Sequence, residues 1–204
     1  MTDSLKKGIG TKYLLPIVAA YAAAAGLLGF ERITQLQSVL THLGAAGIAG
    51  VLLLVLQDLI PRPVKEVLVF WRLRDRVPGC RAFSVVAKRD PRVDPTDLAV
   101  LLPASPMTPT EENALWYRWL KSVETDAGIA DNHRRFLALR DCAVLLFLLA
   151  FASPLLGLVP GTAQQGQLQL GLGCTVAYFA AAVATRNAGV RLVSNVIARK
   201  VATS

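Results

Sequence analysis

The amino-acid sequence predicts an all-α integral membrane protein with four transmembrane helices and a mainly helical cytosolic insertion between the second and the third. The 204 residues are 53% hydrophobic and only 18% charged, whereas soluble domains carry about 25% charged residues. The apolar excess is clustered in stretches long enough to cross a bilayer, which takes about 20 helical residues. The four predicted spans are residues 13–30, 39–59, 142–158 and 168–185.

Basic residues alternate with these spans, and this alternation predicts the topology. Three lysines precede the first span, while Arg32 is the only basic residue in the loop after it. The segment between the second and third spans holds most of the Lys and Arg residues. The loop of residues 161–167 has no charge, and the tail of residues 186–204 has four basic residues. Because positive loops stay inside, we expect a multi-pass protein of the cell inner membrane with both termini in the cytoplasm.

Two other interpretations of the apolar stretches are less favoured. A soluble all-helical protein would rarely keep four spans almost free of charge. The first span also has the parts of a cleaved signal peptide, with Lys6 and Lys7 before an apolar run and small residues near its end. That run is longer than a typical signal core, and cleavage would leave three spans with unchanged orientation.

Small residues recur on the predicted membrane helices at a spacing of four. Such stripes let helix backbones approach closely in lipid, where packing drives helix association. Ala46 and Gly50 form one stripe, and Gly173, Ala177 and Ala181 form another. These residues either pack the chain's own bundle or face a second copy. Since four short helices have little interior, we expect a homo-oligomer.

The domain organisation follows from the spans and the prolines. A transmembrane hairpin occupies residues 1–61, a basic cytosolic domain residues 62–140, a second hairpin residues 141–185, and a basic amphipathic cytosolic tail residues 186–204. Pro61 and Pro63 end the second span and begin a new helix that we expect to reach Arg76. One face of that helix would lie on the membrane surface. Its residues are Val64, Val67, Leu68 and Trp71.

The rest of the insertion is predicted from capping signals. Residues 82–87 are a short apolar run, either a strand or a helical turn. Asp94 is a helix cap, and Thr108 with Glu111 forms a capping box. The helix after Thr108 is expected to end near Gly128. We expect a last helix, capped by Asp131, to run without a break through Cys142 into the third span, where Pro154 would kink it.

The insertion carries a dense set of basic residues close to the predicted membrane surface. They are expected to contact membrane lipids with anionic headgroups, an anionic ligand such as a nucleotide or nucleic acid, or a cytosolic protein partner. Nucleic acid is less favoured, because its recognition usually needs exposed aromatic residues among the arginines. The candidate contact residues are Lys65, Arg72, Arg74, Arg76, Arg81, Lys88 and Arg89.

Catalytic patterns are absent from the sequence, and we expect no enzyme, metal or cofactor. No phosphate-binding glycine loop, paired cysteine motif or serine nucleophile motif occurs. His133 stands beside two arginines and fits a solvated helix position. Asp58 and Arg140 are predicted at matching depths of the membrane boundary, where they would form an ion pair or be solvated separately by headgroups.

These features predict a non-enzymatic oligomeric membrane protein whose cytosolic domain binds a protein partner or an anionic signal. The expected continuous helix through Cys142 would couple that domain to the membrane bundle. A small bacterial sensor or effector, for instance in antiviral defence, has this layout by analogy. Two alternatives remain: an ion channel or small transporter built from several copies, and an enzyme acting on lipid through Asp58, His133 or Asp141.

Overall fold

The structure, a computed structural model, describes residues 14–24, 55–56, 58–158 and 164–203. Most of these residues are helical and none of them forms a β-strand, which confirms the all-α prediction. The helices are α1 (Leu14–Ala24), α2 (Arg62–Phe70), α3 (Pro95–Leu101), α4 (Pro109–Ser122), α5 (Ala127–Leu156) and α6 (Gln164–Val201). Short 3-10 and π turns lie between α2 and α3, at Pro78–Arg81, Ala82–Val86 and Ala87–Arg89.

Two of the described helices are long and apolar enough to cross a membrane. They are Ala127–Leu155 of α5 and Gln164–Val201, which is α6. They contain the predicted third and fourth spans, at residues 142–158 and 168–185. The first span, residues 13–30, is described only over the 11-residue helix α1, and most of the second, residues 39–59, lies outside the described residues. The four-span prediction is therefore not confirmed.

The chain divides into two compact units. Unit 1 consists of Met1–Lys65 and Ala138–Ala182, and unit 2 consists of Glu66–Leu137 and Val183–Ser204. Both α5 and α6 contribute residues to each unit.

Unit 1 has an apolar core with one polar contact inside it. Its buried cluster contains Leu14, Val18, Tyr21, Leu145, Leu149 and Cys174. The hydroxyls of Tyr21 and Ser153 share a hydrogen bond of 2.9 Å, and Ser153 also donates to the carbonyl of Leu149 at 2.7 Å. This contact matters because Tyr21 and Ser153 are two of the few polar side chains of the predicted spans, and both are buried.

Unit 2 has a core of its own, built around the second half of α6. That half supplies Leu192, Val193, Val196 and Ile197, all almost completely buried. Phe83 and Trp119 join the same cluster, with ring centroids 4.9 Å apart in an edge-to-face arrangement. The tail predicted as a separate amphipathic segment is thus the continuation of α6, and its apolar face is core.

Helix starts agree with the sequence at two of three positions. Asp94 caps α3, and Thr108 with Glu111 forms the complete capping box of α4. The predicted cap Asp131 is wrong, because α4 ends at Ser122 and α5 begins at Ala127. Asp126 accepts from the backbone N–H groups of residues 128 and 129, at 2.9 and 3.3 Å, which are the donors a cap satisfies. The predicted continuity through Cys142 is confirmed.

Helix α2 is shorter than predicted and buries a different face. It ends at Phe70 rather than near Arg76. Lys65, Val69 and Phe70 are buried, whereas Val64 and Trp71 of the predicted apolar face are exposed. The sequence pattern failed because Lys65 finds a carboxylate partner, which makes its burial tolerable.

Candidate functional site

The segment from Trp71 to Arg81, called the arginine turn below, carries four of the predicted contact residues. They are Arg72, Arg74, Arg76 and Arg81. Trp71 and Asp75 adopt left-handed backbone conformations, with φ of 52° and 46°. Such conformations cost a non-glycine residue about 1–2 kcal/mol, so tertiary contacts must hold these two residues in place. The turn follows α2 directly and places the four arginines within ten residues of one another.

Trp71 is held by a residue far away in the sequence. The guanidinium carbon of Arg186 lies 3.6 Å from the centroid of the Trp71 ring, and Arg186 Nε donates to the carbonyl of Val69 at 2.9 Å. A guanidinium over an indole face is the most favourable cation–π geometry, and it contributes about 0.5–2 kcal/mol. This stack fixes the start of the arginine turn on α6 and offsets the backbone strain at Trp71.

The rest of the turn is fixed on α4 through close backbone packing. Gly79 is buried, and a Cβ there would meet Asn113 Oδ1 and lie 2.9 Å from Trp116 Cε3. Only glycine therefore lets the turn approach α4 this closely. The carboxylate of Glu112, also buried on α4, accepts from the N–H groups of Phe83 at 2.8 Å and Ser84 at 3.1 Å. Glu112 thereby satisfies two backbone donors just after the turn.

Several cations of the described residues have a carboxylate partner within 4 Å, which the arginines of the turn lack. Ion pairs within 4 Å engage Lys65, Arg92, Lys121, Arg134, Arg140 and Arg199. Among the described residues, no such pair engages the four turn arginines, and Arg76 Nε is buried without an acceptor there. Burial and the nearby guanidinium of Arg72 lower the pKa of Arg81. The turn is therefore a site of uncompensated positive charge.

Two acidic residues, Asp75 and Glu66, and the thiol of Cys80 share these surroundings. The charge of Asp75 favours the protonated form of Arg81 and thus partly offsets the repulsion from Arg72. Burial, followed by the negative charge of Asp75, raises the pKa of the Cys80 thiol. A thiol with a raised pKa is a poor nucleophile, so Cys80 is a packing residue of the turn.

Lys65 belongs to unit 1 and has a different environment. Its ammonium group lies 3.7 Å from Asp141 Oδ1, and Arg140 donates to the same oxygen at 2.9 and 3.0 Å. The carboxylate that contacts Arg140 is therefore the adjacent Asp141. Asp58, the expected partner, is exposed, and its pairing with Arg140 stays a prediction. Two cations share one carboxylate in this cluster, which none of the capping or periodicity signals indicated.

Lys88 and Arg89 are exposed on the last short turn before α3, beside a polar clamp. Asp90 accepts from Arg92 Nε at 2.9 Å and Nη2 at 2.7 Å, and it also accepts from the hydroxyl of Ser194. Arg92 reaches Asn195 Oδ1 at 3.0 Å. This clamp ties the loop before α3 to α6. Its two halves, Asp90 with Arg92 and Ser194 with Asn195, lie 102 or more residues apart in the sequence, so sequence reasoning missed it.

The clamp gives a pH-dependent prediction. The hydrogen bond from Arg92, the largest cause, holds the pKa of Asp90 well below its usual range. A depressed pKa adds stability above the unfolded pKa of about 3.9, and that stability is lost as the pH falls through the folded value. We expect Asp90→Asn to lower the thermal midpoint at pH 7, and the gap from the wild type to narrow below about pH 4. An unchanged gap between pH 7 and pH 3 would contradict this role.

The helix-packing residues lie partly outside the described residues. Ala46 and Gly50 belong to that outside part, so their stripe stays a prediction. On α6, Gly173 is exposed with open space around it, and Ala177 and Ala181 are half-buried. The second stripe is therefore accessible along much of its length.

Metal and catalytic clusters do not emerge in the described residues. No group of three His, Cys, Asp or Glu side chains is placed to hold a metal ion there. Cys80, Cys142 and Cys174 are all free thiols. Comparison of the chain with protein-family models, curated proteins and solved structures finds no match.

Proposed function

We propose that the chain is a non-enzymatic, oligomeric multi-pass protein of the cell inner membrane, with unit 2 as its cytosolic domain. The observation that supports membrane insertion is the exposure of apolar side chains on α5 and α6. Only 28% of the most apolar window of each helix is buried, whereas a core helix of a soluble protein is mostly buried. The exposed residues include Phe151, Leu155, Leu172, Val176, Phe179 and Val183.

The sequence of α6 supports a boundary between lipid and water within this one helix. Exposed apolar residues follow one another at spacings of three and four from Leu168 to Val183, which form one stripe. Arg186 is the first charged residue of α6 and follows Val183 by less than one turn. Beyond it, Leu192, Val193, Val196 and Ile197 of the helix are buried in the core of unit 2. Four spans and two cytoplasmic termini complete the proposal from the positive-inside pattern.

The proposed task is to sense an anionic ligand, or a protein partner of acidic character, and to pass its binding to the membrane helices. The unpaired arginines of the arginine turn supply the binding chemistry, because guanidinium groups bind phosphate and carboxylate through two parallel hydrogen bonds. Both α5 and α6 contribute residues to each unit, so each helix offers a covalent route between ligand and bundle. The layout is that of a small membrane sensor or effector, such as those of bacterial defence, by analogy alone.

The two alternative functions receive less support. A channel needs polar groups along its lining, and Tyr21 and Ser153 are instead buried against each other. A lipid-face enzyme would use Asp141, whose carboxylate is already engaged by Lys65 and Arg140.

Oligomerisation is tested by the mass of the purified full chain in detergent and in lipid nanodiscs. We expect an assembly of two or more copies in both, held by the accessible small residues of α6. Gly173→Leu should shift the assembly toward the monomer, and Gly128→Leu, a change outside the stripe, should not. A strict monomer of the wild type in both environments would remove oligomerisation from the proposal.

A further inference from the structure

We propose that the arginine turn binds the phosphate group of an anionic phospholipid headgroup through Arg72, Arg76 and Arg81, beside the exposed ring of Trp71. The inference rests on the proposed function, since it takes unit 2 to be the domain that faces the cytosolic membrane surface. It replaces the general anionic ligand with one chemical class, the phosphodiester of a lipid.

The charge of the arginine turn favours a bound anion. Folding brings Arg72 close enough to Arg81 to lower the pKa of Arg81, although burial is the larger cause. The carboxylate that acts on Arg81 is that of Asp75. The three guanidinium groups outnumber the nearby carboxylates of Asp75 and Glu66, and no ion pair among the described residues neutralises them. An anion bound there would relieve the repulsion between Arg72 and Arg81, so its binding is favoured by the fold itself.

The turn also contains an unsatisfied donor, because Arg76 Nε is buried and has no hydrogen-bond acceptor among the described residues. A buried donor without a partner costs about 1–3 kcal/mol, and native proteins usually satisfy such groups. A phosphate oxygen is a strong acceptor for a guanidinium N–H, and it carries the charge that the cluster lacks. A bound phosphate would therefore both neutralise the excess positive charge and accept a hydrogen bond from Arg76 Nε.

The exposure and position of Trp71 favour a lipid over a soluble phosphate. Trp71 is 46% exposed although its ring stacks on Arg186. Arg186 lies within one helical turn of Val183, the last residue of the exposed apolar stripe of α6. Tryptophan is enriched at the headgroup level of membranes, and arginines at the cytoplasmic membrane surface attract anionic lipids. The turn is thus attached to the part of α6 where the proposed bilayer ends.

The experiment counts lipids that remain bound to the purified full chain. Detergent-solubilised protein is titrated with phosphatidylglycerol or with phosphatidylcholine, and native mass spectrometry measures each bound state. We expect the wild type to prefer phosphatidylglycerol. The Arg72→Gln/Arg76→Gln/Arg81→Gln variant should bind it more weakly by about tenfold or more, as expected when three cations are removed. Binding of phosphatidylcholine should stay unchanged.

A matched control removes the same charge elsewhere in unit 2. Arg118, Arg135 and Arg191 are exposed and form no ion pair within the described residues. Their combined replacement by glutamine should leave the preference for phosphatidylglycerol intact. An equal loss in this control would show a diffuse charge effect and overturn the proposal. Because Arg76 is half-buried, Arg72→Gln/Arg81→Gln provides a second variant if the triple variant unfolds, and it should also weaken binding.

Two further results would decide against a lipid. If the wild type shows no preference for phosphatidylglycerol, the proposal is wrong. A soluble phosphate would be the ligand if three results came together. The wild type would bind inorganic pyrophosphate in equilibrium dialysis, the triple variant would not bind it, and the wild type would not retain phosphatidylglycerol. Alkaline carbonate extraction of cell membranes separates this inference from the proposed function. A chain that is extracted fails both, whereas a chain that stays in the membrane with unaltered lipid preference in the triple variant fails the inference alone.

Discussion

Replacing Glu112 with alanine is expected to lower the free energy of unfolding of unit 2 by about 3 kcal/mol. The Glu112 carboxylate is buried and accepts from the backbone N–H groups of Phe83 and Ser84. Its removal leaves both donors without a partner, and each unsatisfied buried donor costs about 1–3 kcal/mol. The three tryptophans of the chain, Trp71, Trp116 and Trp119, all belong to unit 2. Denaturant unfolding followed by tryptophan fluorescence therefore reports on this unit.

The neighbouring Glu111 supplies the control for this prediction. Glu111 is exposed and accepts from the N–H of Thr108 at 2.7 Å as part of the capping box. Glu111→Ala should lower the free energy of unfolding by less than Glu112→Ala, because the capping-box carboxylate is exposed and water can replace it as an acceptor. Glu112→Gln keeps an oxygen that can accept and should fall between the wild type and Glu112→Ala. Equal losses in Glu111→Ala and Glu112→Ala would show that the two buried hydrogen bonds contribute nothing beyond helix capping.

Glu112 also shows how far sequence reasoning reaches in unit 2. Trp119 and Leu120 of α4 are buried, and Leu115 packs against the core. Glu112 lies three positions before Leu115, on the same helical face. A carboxylate on a buried face needs a partner, so its position was a usable signal. The partner itself, two N–H groups of a π turn 28 residues earlier, follows only from the fold.

Local signals predicted helix starts, and long-range contacts decided where helices end. Thr108 and Asp94 cap their helices as expected, because capping involves atoms within three residues of each other. The early end of α2 depends instead on Trp71, whose left-handed backbone is stabilised by Arg186 from the far end of the chain. No pattern within a short window of sequence contains that contact. The predicted helix therefore continued past the point where the chain turns.

The candidate site was predicted as a set of basic residues, and in the structure these residues have different environments. Lys65 is buried with Asp141 in unit 1. Arg72, Arg76 and Arg81 share the arginine turn, and Lys88 and Arg89 are exposed beside the Asp90 clamp. Charge and sequence proximity predicted a basic surface. Folding determines which carboxylates come close to which cations. The local sequence therefore does not show which of the cations are neutralised.

The largest effect on the proposed membrane insertion is expected from Val176→Arg. Val176 is 71% exposed in the exposed apolar stripe of α6. If this face contacts lipid, an arginine near the middle of the span costs about 3 kcal/mol of insertion free energy. The fraction of molecules in which α6 crosses the membrane should fall. A paired set of cytoplasmic and periplasmic reporters fused after Ser204 measures it, and the cytoplasmic signal should decrease as the periplasmic signal rises.

Val190 provides a matched control on the same helix, since it is 44% exposed but follows Arg186 and belongs to unit 2. An arginine at Val190 should face water and leave the reporter signals at the wild-type level, and Val176→Leu should do the same because it keeps the face apolar. The two arginine variants add the same charge to the same helix, so only the environment of each position distinguishes them. If Val176→Arg and Val190→Arg behave alike and both resemble the wild type, the apolar face of α6 does not contact lipid. The exposure of that stripe would then have to be explained by a protein surface that covers it.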